Sequence, residues 1–268
     1  MANIRLIAIA GGLVAAAAVG WIALQEPEKV VSPIPVESQP SSASIMQPER
    51  PPEADIPVRI VAEPSIAPEP QLPTLDESDR WLREQSVDLV ASNARTTLGE
   101  WLSASDLLRR SSAYIDGLSR GQLLTNIFAL SPPSERFISH TSNGSLWMNA
   151  GNYERYNATV DVLSAINPEQ LANLFHRARP LLMAVFSELG YTQRQMDGVV
   201  IAALDEILAT PVIVEPIELT RESVAFRFAD EQLESLSRLQ KQLLRSGPEN
   251  TRRLQDIARQ LREQLLAE

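Results

Sequence analysis

The chain has 268 residues, 44% of them apolar and 22% charged, with a formal net charge of -10. That length suits one folded domain plus additional segments, and the acidity opposes binding to nucleic acid phosphates. No cysteine is present, which rules out disulfide frameworks, thiolate metal sites, thiol nucleophiles and lipid attachment through an N-terminal Cys, and with two histidines no metal and no cofactor are expected.

From Leu6 to Leu24 no residue is charged. These 19 residues span roughly 28 Å as a helix, close to the thickness of a bilayer core. Residues 1–24 therefore read as a transmembrane anchor, with the lipid bilayer as partner through residues 6–24 and Trp21 near the outer interface. The competing reading is a signal peptide cleaved after Ala16-Ala17-Ala18, which would release the rest of the chain. The apolar run continues past that site through Trp21, Ile22 and Leu24, which favours the anchor. Arg5 precedes the segment while Glu26 and Glu28 follow it, so the positive-inside rule places the remainder in the periplasm, on a single-pass protein of the bacterial inner membrane.

Residues 25–75 contain 12 of the 19 prolines, no glycine, and eight acidic against three basic residues. Proline fixes φ and removes a donor, and like charges repel, so the segment is expected to be a disordered, extended linker.

From Asp76 to Glu268 the pattern becomes that of a compact, mainly α multi-helix domain with one or two small β-hairpins. A first helix is expected near Asp76 or Ser78. A second begins at Ser103, with Asp106 completing a capping box, and ends near Gly121. Asn143-Gly144 is a type I′ turn signal between Phe137-Ile138 and Leu146-Trp147. A helix over residues 152–166 leads to another opened by Asn167-Pro168-Glu169-Gln170, whose stripe runs from Leu171 through Phe175 and Phe186 to Leu189, with His176 off the stripe. Gly190 ends that helix, and Thr192 with Gln195 caps the next, which stops at Thr210-Pro211. Val212 to Leu219 and Val224 to Phe228 read as strands. Two helices follow, over 230–246 and from Pro248 onward, divided by Gly247-Pro248.

Phosphate-loop, zinc-protease, acyl-transfer and dinucleotide signatures are absent. Glu188 and Asp205-Glu206 are the carboxylates that a cell-wall hydrolase would use; otherwise they are helix-surface acids. The cluster Arg245, Arg252, Arg253, Arg259 and Arg262 reads as internal salt bridges with Glu249, Asp256 and Glu263, or as a surface for an acidic partner. Tyr153 and Tyr156 flank Arg155 on one helical face, either as core or as a stacking surface for a sugar or peptide.

Several stretches together resemble the bacterial domain of unknown function 3014 family. They are Leu72-Pro73-Thr74-Leu75-Asp76-Glu77-Ser78-Asp79, Tyr153-Glu154-Arg155-Tyr156, Glu188-Leu189-Gly190-Tyr191, Phe228-Ala229-Asp230 and the run from Gln240 to Asn250. The resemblance covers about residues 72–266 and implies an anchor, a Pro-rich spacer and one uncharacterised domain, with no reaction and no catalytic residues. Glycines and prolines in these stretches have structural explanations, which leaves Arg155, Lys241 and Arg245 as candidate binding residues beside Tyr153 and Tyr156. The expected function is binding of an envelope partner, protein or peptidoglycan. The alternative is a carboxylate-dependent cell-wall hydrolase.

Overall fold

The computed structural model describes residues 51–58, 72–86, 88–124, 136–222 and 225–267. The expected membrane segment and most of the spacer lie outside the described residues, among which no helix is long and apolar enough to cross a membrane. The described part is mainly helical, with one small antiparallel sheet.

After a 3-10 turn over Leu75–Glu77 come α1 (Ser78–Gln85), α2 (Arg95–Trp101) and α3 (Leu107–Ser119). The short α2 is not legible in the sequence pattern, and the Ser103–Asp106 capping box does not form. Asp106 instead stands at φ 57°, and the carboxylate of Asp79 on α1 accepts the amides of Asp106 and Leu107 at 2.8 Å each. A carboxylate supplied by a neighbouring helix thus satisfies the amides that a local cap would have taken. Gly121, at φ +64°, terminates the α3 region as expected.

The strands β1 (Ser139–Ser142) and β2 (Ser145–Met148) form the expected hairpin, with both Asn143 and Gly144 at positive φ as a type I′ turn requires. A 3-10 turn over Ala150–Tyr156 and then α4 (Asn157–Ser164) replace the single helix expected over 152–166. Next are α5 (Pro168–Glu188), α6 (Gln193–Leu208), β3 (Glu218–Glu222) and β4 (Ala225–Phe228). The strand expected over 212–219 thus begins only at Glu218 and runs on to Glu222. The two hairpins form one sheet, because β2 pairs with β3 through Leu146 opposite Leu219. Finally α7 (Glu231–Glu234), α8 (Arg238–Ser246) and α9 (Pro248–Leu266) divide what reads as two helices, because Ser237 and Gln240 form a capping box that starts α8 afresh.

Helix α5 starts as the sequence predicts, with Asn167 Oδ1 accepting the amide of Gln170 at 3.0 Å. The Asn167 amide donates to the Leu89 carbonyl at 2.9 Å, so the Gln170 side chain has nothing left to cap there. Thr192 and Gln195 form the full capping box of α6. Two expectations about α5 are reversed: Leu189 is half exposed, beyond the last helical turn, and His176 is buried. A helix covered on more than one face buries residues that a single-stripe reading assigns to solvent.

The main core joins α1 to α6 with α8 and α9; α3 packs chiefly on α6, and α9 lies across α4, α5 and α6. Leu254, Ala258, Leu261 and Leu265 line the buried stripe of α9, each of the leucines contributing about 1.5–3 kcal/mol. A second, smaller core of Met148, Ile217, Leu219, Phe228 and Leu244 lies under the sheet. Helix α8 joins the two, with Leu239 and Leu243 in one and Leu244 in the other.

Residues 51–58, within the spacer expected to be disordered over residues 25–75, lie against the domain with Ile56 only 2% exposed. Pro51, Pro52 and Pro57 restrict the chain before it docks, so less conformational entropy is lost on ordering it. Ile56 then supplies apolar burial that the composition of the segment as a whole conceals.

Candidate functional site

The site is the seam of α5 and α6. On α6, Arg194, Asp197 and Gly198 share one helical face, separate from the Met196–Val199–Ala203 stripe that faces the core. On α5, Arg179 points to the same seam and is buried along with Asp197. The Arg179 guanidinium donates through Nη2 to Asp197 Oδ2 at 2.5 Å. Between them they hold one residue of the extended segment by its main chain: the Ile56 amide donates to Asp197 Oδ2 at 3.1 Å, and Arg179 Nη1 donates to the Ile56 carbonyl at 3.0 Å. One turn earlier, the Ala54 amide donates to the Arg194 carbonyl at 3.0 Å.

Side chains add charge and shape. The Arg194 guanidinium lies 3.5 Å from Glu53 and 3.3 Å from Asp55, exposed pairs that contribute little each but favour an acidic segment. Gly198 makes room for the backbone, because a Cβ there would lie 2.0 Å from the Pro52 carbonyl oxygen. Burial pushes the Asp197 carboxyl above its ordinary value, while the Ile56 amide and Arg179 pull it back down. Asp197 Oδ1 and Arg179 Nε are buried with no hydrogen-bond partner among the described residues, so the grip on residues 51–58 leaves a donor and an acceptor unused.

The residues singled out from sequence divide into two groups elsewhere. Tyr156 is fully buried and its hydroxyl accepts from Gln242 Nε2 at 3.2 Å. The half-buried Tyr153 ring packs against Gly247, where a Cβ would come within 2.4 Å of it. Both tyrosines thus pack at the α8–α9 junction rather than form a stacking surface. The Arg155 guanidinium lies over the Tyr156 ring at 5.9 Å. In the second group, Lys241 Nζ donates to the carbonyl and to Oε1 of Glu234 at 3.0 Å each, and Glu234 Oε2 accepts the Phe228 amide. Arg245 stacks on Phe228 at 5.5 Å. These contacts tie α7 and α8 to strand β4.

Two of the carboxylates proposed for hydrolysis, Glu188 and Asp205, are held in ion pairs. Arg109 donates to Glu188 at 3.0 and 3.2 Å and holds its carboxyl below the ordinary value, the direction opposite to that needed by a general acid near neutral pH. Asp205 accepts from Arg262 at 2.7 Å. The C-terminal arginines follow the salt-bridge reading in part: Arg252 pairs with Glu249 and Arg259 with Asp256, whereas Arg253 and Arg262 reach the more distant Asp161 and Asp205, and Arg245 stacks on Phe228. A polar cleft of about 410 Å³ between α1 and α5, lined by Glu84, Asp88, Asn173 and Arg177, is open to solvent.

Sequence reasoning missed the seam. The signal for it was present: a glycine in the interior of a helix costs about 1 kcal/mol relative to alanine, and Gly198 follows an aspartate on a face that a surface helix would leave to solvent.

A family described as "Protein of unknown function (DUF3014)" matches residues 107–262. The match includes Arg179, Arg194, Asp197 and Gly198 and does not reach residues 51–58. No curated protein and no solved structure matches the chain.

Proposed function

Because the chain belongs to the DUF3014 family of proteins of unknown function, whose description names no reaction, we propose from the geometry that it is a peptide-binding module of the bacterial envelope, held to the inner membrane by residues 6–24 and working in the periplasm on a partner protein. The single observation that carries this is the grip of Arg179 and Asp197 on both polar atoms of one backbone unit, at Ile56. Main-chain hydrogen bonds supply affinity for an extended segment whatever its sequence, while a pocket for one side chain and flanking charge supply choice. A protein segment provides those groups in series, which the sugar strands of peptidoglycan do not, and this sets peptidoglycan second as a partner.

The test is a titration of a labelled synthetic peptide of residues 51–58 onto the full-length chain carrying Ile56→Asp, which removes the apolar anchor of its own segment. Saturable binding, abolished by Gly198→Ala in the same chain, is the expected result; its absence overturns the reading. A reporter fused after Glu268 and active only in the cytoplasm would overturn the location.

A further inference from the structure

We propose that residues 51–58 are a resident competitor in the α5–α6 seam, displaced by an extended segment of a partner protein in which an acidic residue, an aliphatic residue and a proline follow in order. The proposal rests on the peptide-binding reading above and concerns how that site is regulated.

The partner's chemistry follows from the contacts. Asp55-Ile56-Pro57 presents an acid to Arg194, a β-branched side chain to the core and a proline with no amide to satisfy. Glu53 extends the charge match by a second contact with the same arginine. The seam offers these groups to any chain of that pattern, because it reads the main chain at Ile56 and Ala54 and admits it only over Gly198.

Displacement follows from what the resident segment leaves undone. It buries one large side chain, and Val58 at its end is 73% exposed. Asp197 Oδ1 and Arg179 Nε, both buried, receive nothing from it. A partner that adds one polar group to either atom gains a charged hydrogen bond that residues 51–58 do not make. The resident has one advantage, which is attachment. It belongs to the same chain as the seam, and covalent attachment gives it an effective concentration on the order of 1 mM. For a segment whose intrinsic Kd is on the order of 0.1 mM, the resident then weakens binding of an equivalent free peptide about tenfold.

The experiment is a fluorescence-anisotropy titration of the labelled peptide of residues 51–58 onto the full-length chain in detergent, unaltered and in three variants. Ile56→Asp releases the resident, Glu53→Lys with Asp55→Lys weakens it through exposed charges without touching the core, and Gly198→Ala closes the seam. The expected result is binding about tenfold tighter to Ile56→Asp than to the unaltered chain, an intermediate gain for the double-lysine variant, and no binding to Gly198→Ala. A peptide carrying lysines at the two acidic positions should bind several-fold more weakly to Ile56→Asp. Should Ile56→Asp fail to fold, the double-lysine variant against the unaltered chain decides. Equal affinity of the unaltered and released chains overturns the competitor and leaves the seam as a peptide site. No binding to any folded variant overturns both, and equal binding of the acidic and lysine peptides overturns the assigned partner chemistry.

Discussion

Arg179 on α5 and Asp197 on α6 form a buried ion pair that also binds the main-chain amide and carbonyl of Ile56, more than a hundred residues earlier in the chain. Two buried charges have lost their hydration, and their attraction offsets that loss only while the geometry and the additional hydrogen bonds are intact.

Removing one partner of this pair should be severe. Arg179→Met and Asp197→Leu are each expected to destabilise the chain by about 3–5 kcal/mol, because each strands the other charge, whereas the double variant should recover most of the loss. Urea unfolding of the three chains measures the coupling. The double variant should also lose its hold on residues 51–58, which separates stability from peptide capture.

Asp79 caps α3 from outside that helix. Asp79→Ala should cost about 1–2 kcal/mol, the range of a lost N-cap, while Ser103→Ala should be close to neutral. Thermal unfolding of both variants tests whether the cap is the distant carboxylate or the local serine.

Glu234 provides a pH prediction. Burial alone would raise its carboxyl, but the Phe228 amide and Lys241 hold it below the ordinary value. A carboxyl with a lowered folded pKa stabilises the fold above its unfolded pKa, near 4.3, and that contribution fades as pH falls through the folded value. The stability difference between the unaltered chain and Glu234→Gln should therefore be constant from pH 7 to about pH 5 and shrink below pH 4. Urea midpoints across that range provide the check.

Gly247, at φ +89° and against the Tyr153 ring, is expected to tolerate no side chain. Gly247→Ala combines backbone strain with overpacking and should cost about 1–3 kcal/mol. Gly198→Ala gains about 1 kcal/mol of helix propensity but expels the docked segment. The net change should be close to zero or slightly unfavourable, and the shortfall from about 1 kcal/mol measures what the docked segment contributes.

Much of the fold was legible because local chemistry and tertiary structure agree: Asn167-Pro168, Thr192 with Gln195, Asn143-Gly144 and Gly247-Pro248 each mark a boundary that the chain adopts. What escaped is what depends on distant partners. Asp79 displaced the local cap at Ser103 and Asp106, β2 met β3 across an intervening stretch of helices, and His176 was buried by neighbours that no single-helix pattern reveals. The candidate site was hidden for the same reason. Tyr153, Tyr156, Lys241 and Arg245 stand out in the sequence yet brace α8, whereas the seam draws on residues 54–56, 179 and 194–198, and a proline-rich composition masked the one buried isoleucine of its segment.

On this reading the α5–α6 seam holds residues 51–58 by their main chain, loosely enough to be exchanged. Amide hydrogen exchange of the full-length chain tests it at Ala54 and Ile56. Protection of roughly tenfold is expected at both amides, an opening free energy of about 1.4 kcal/mol, lost in Gly198→Ala while the helices remain protected. Exchange at the unprotected rate in the unaltered chain, or protection that survives Gly198→Ala, would contradict it.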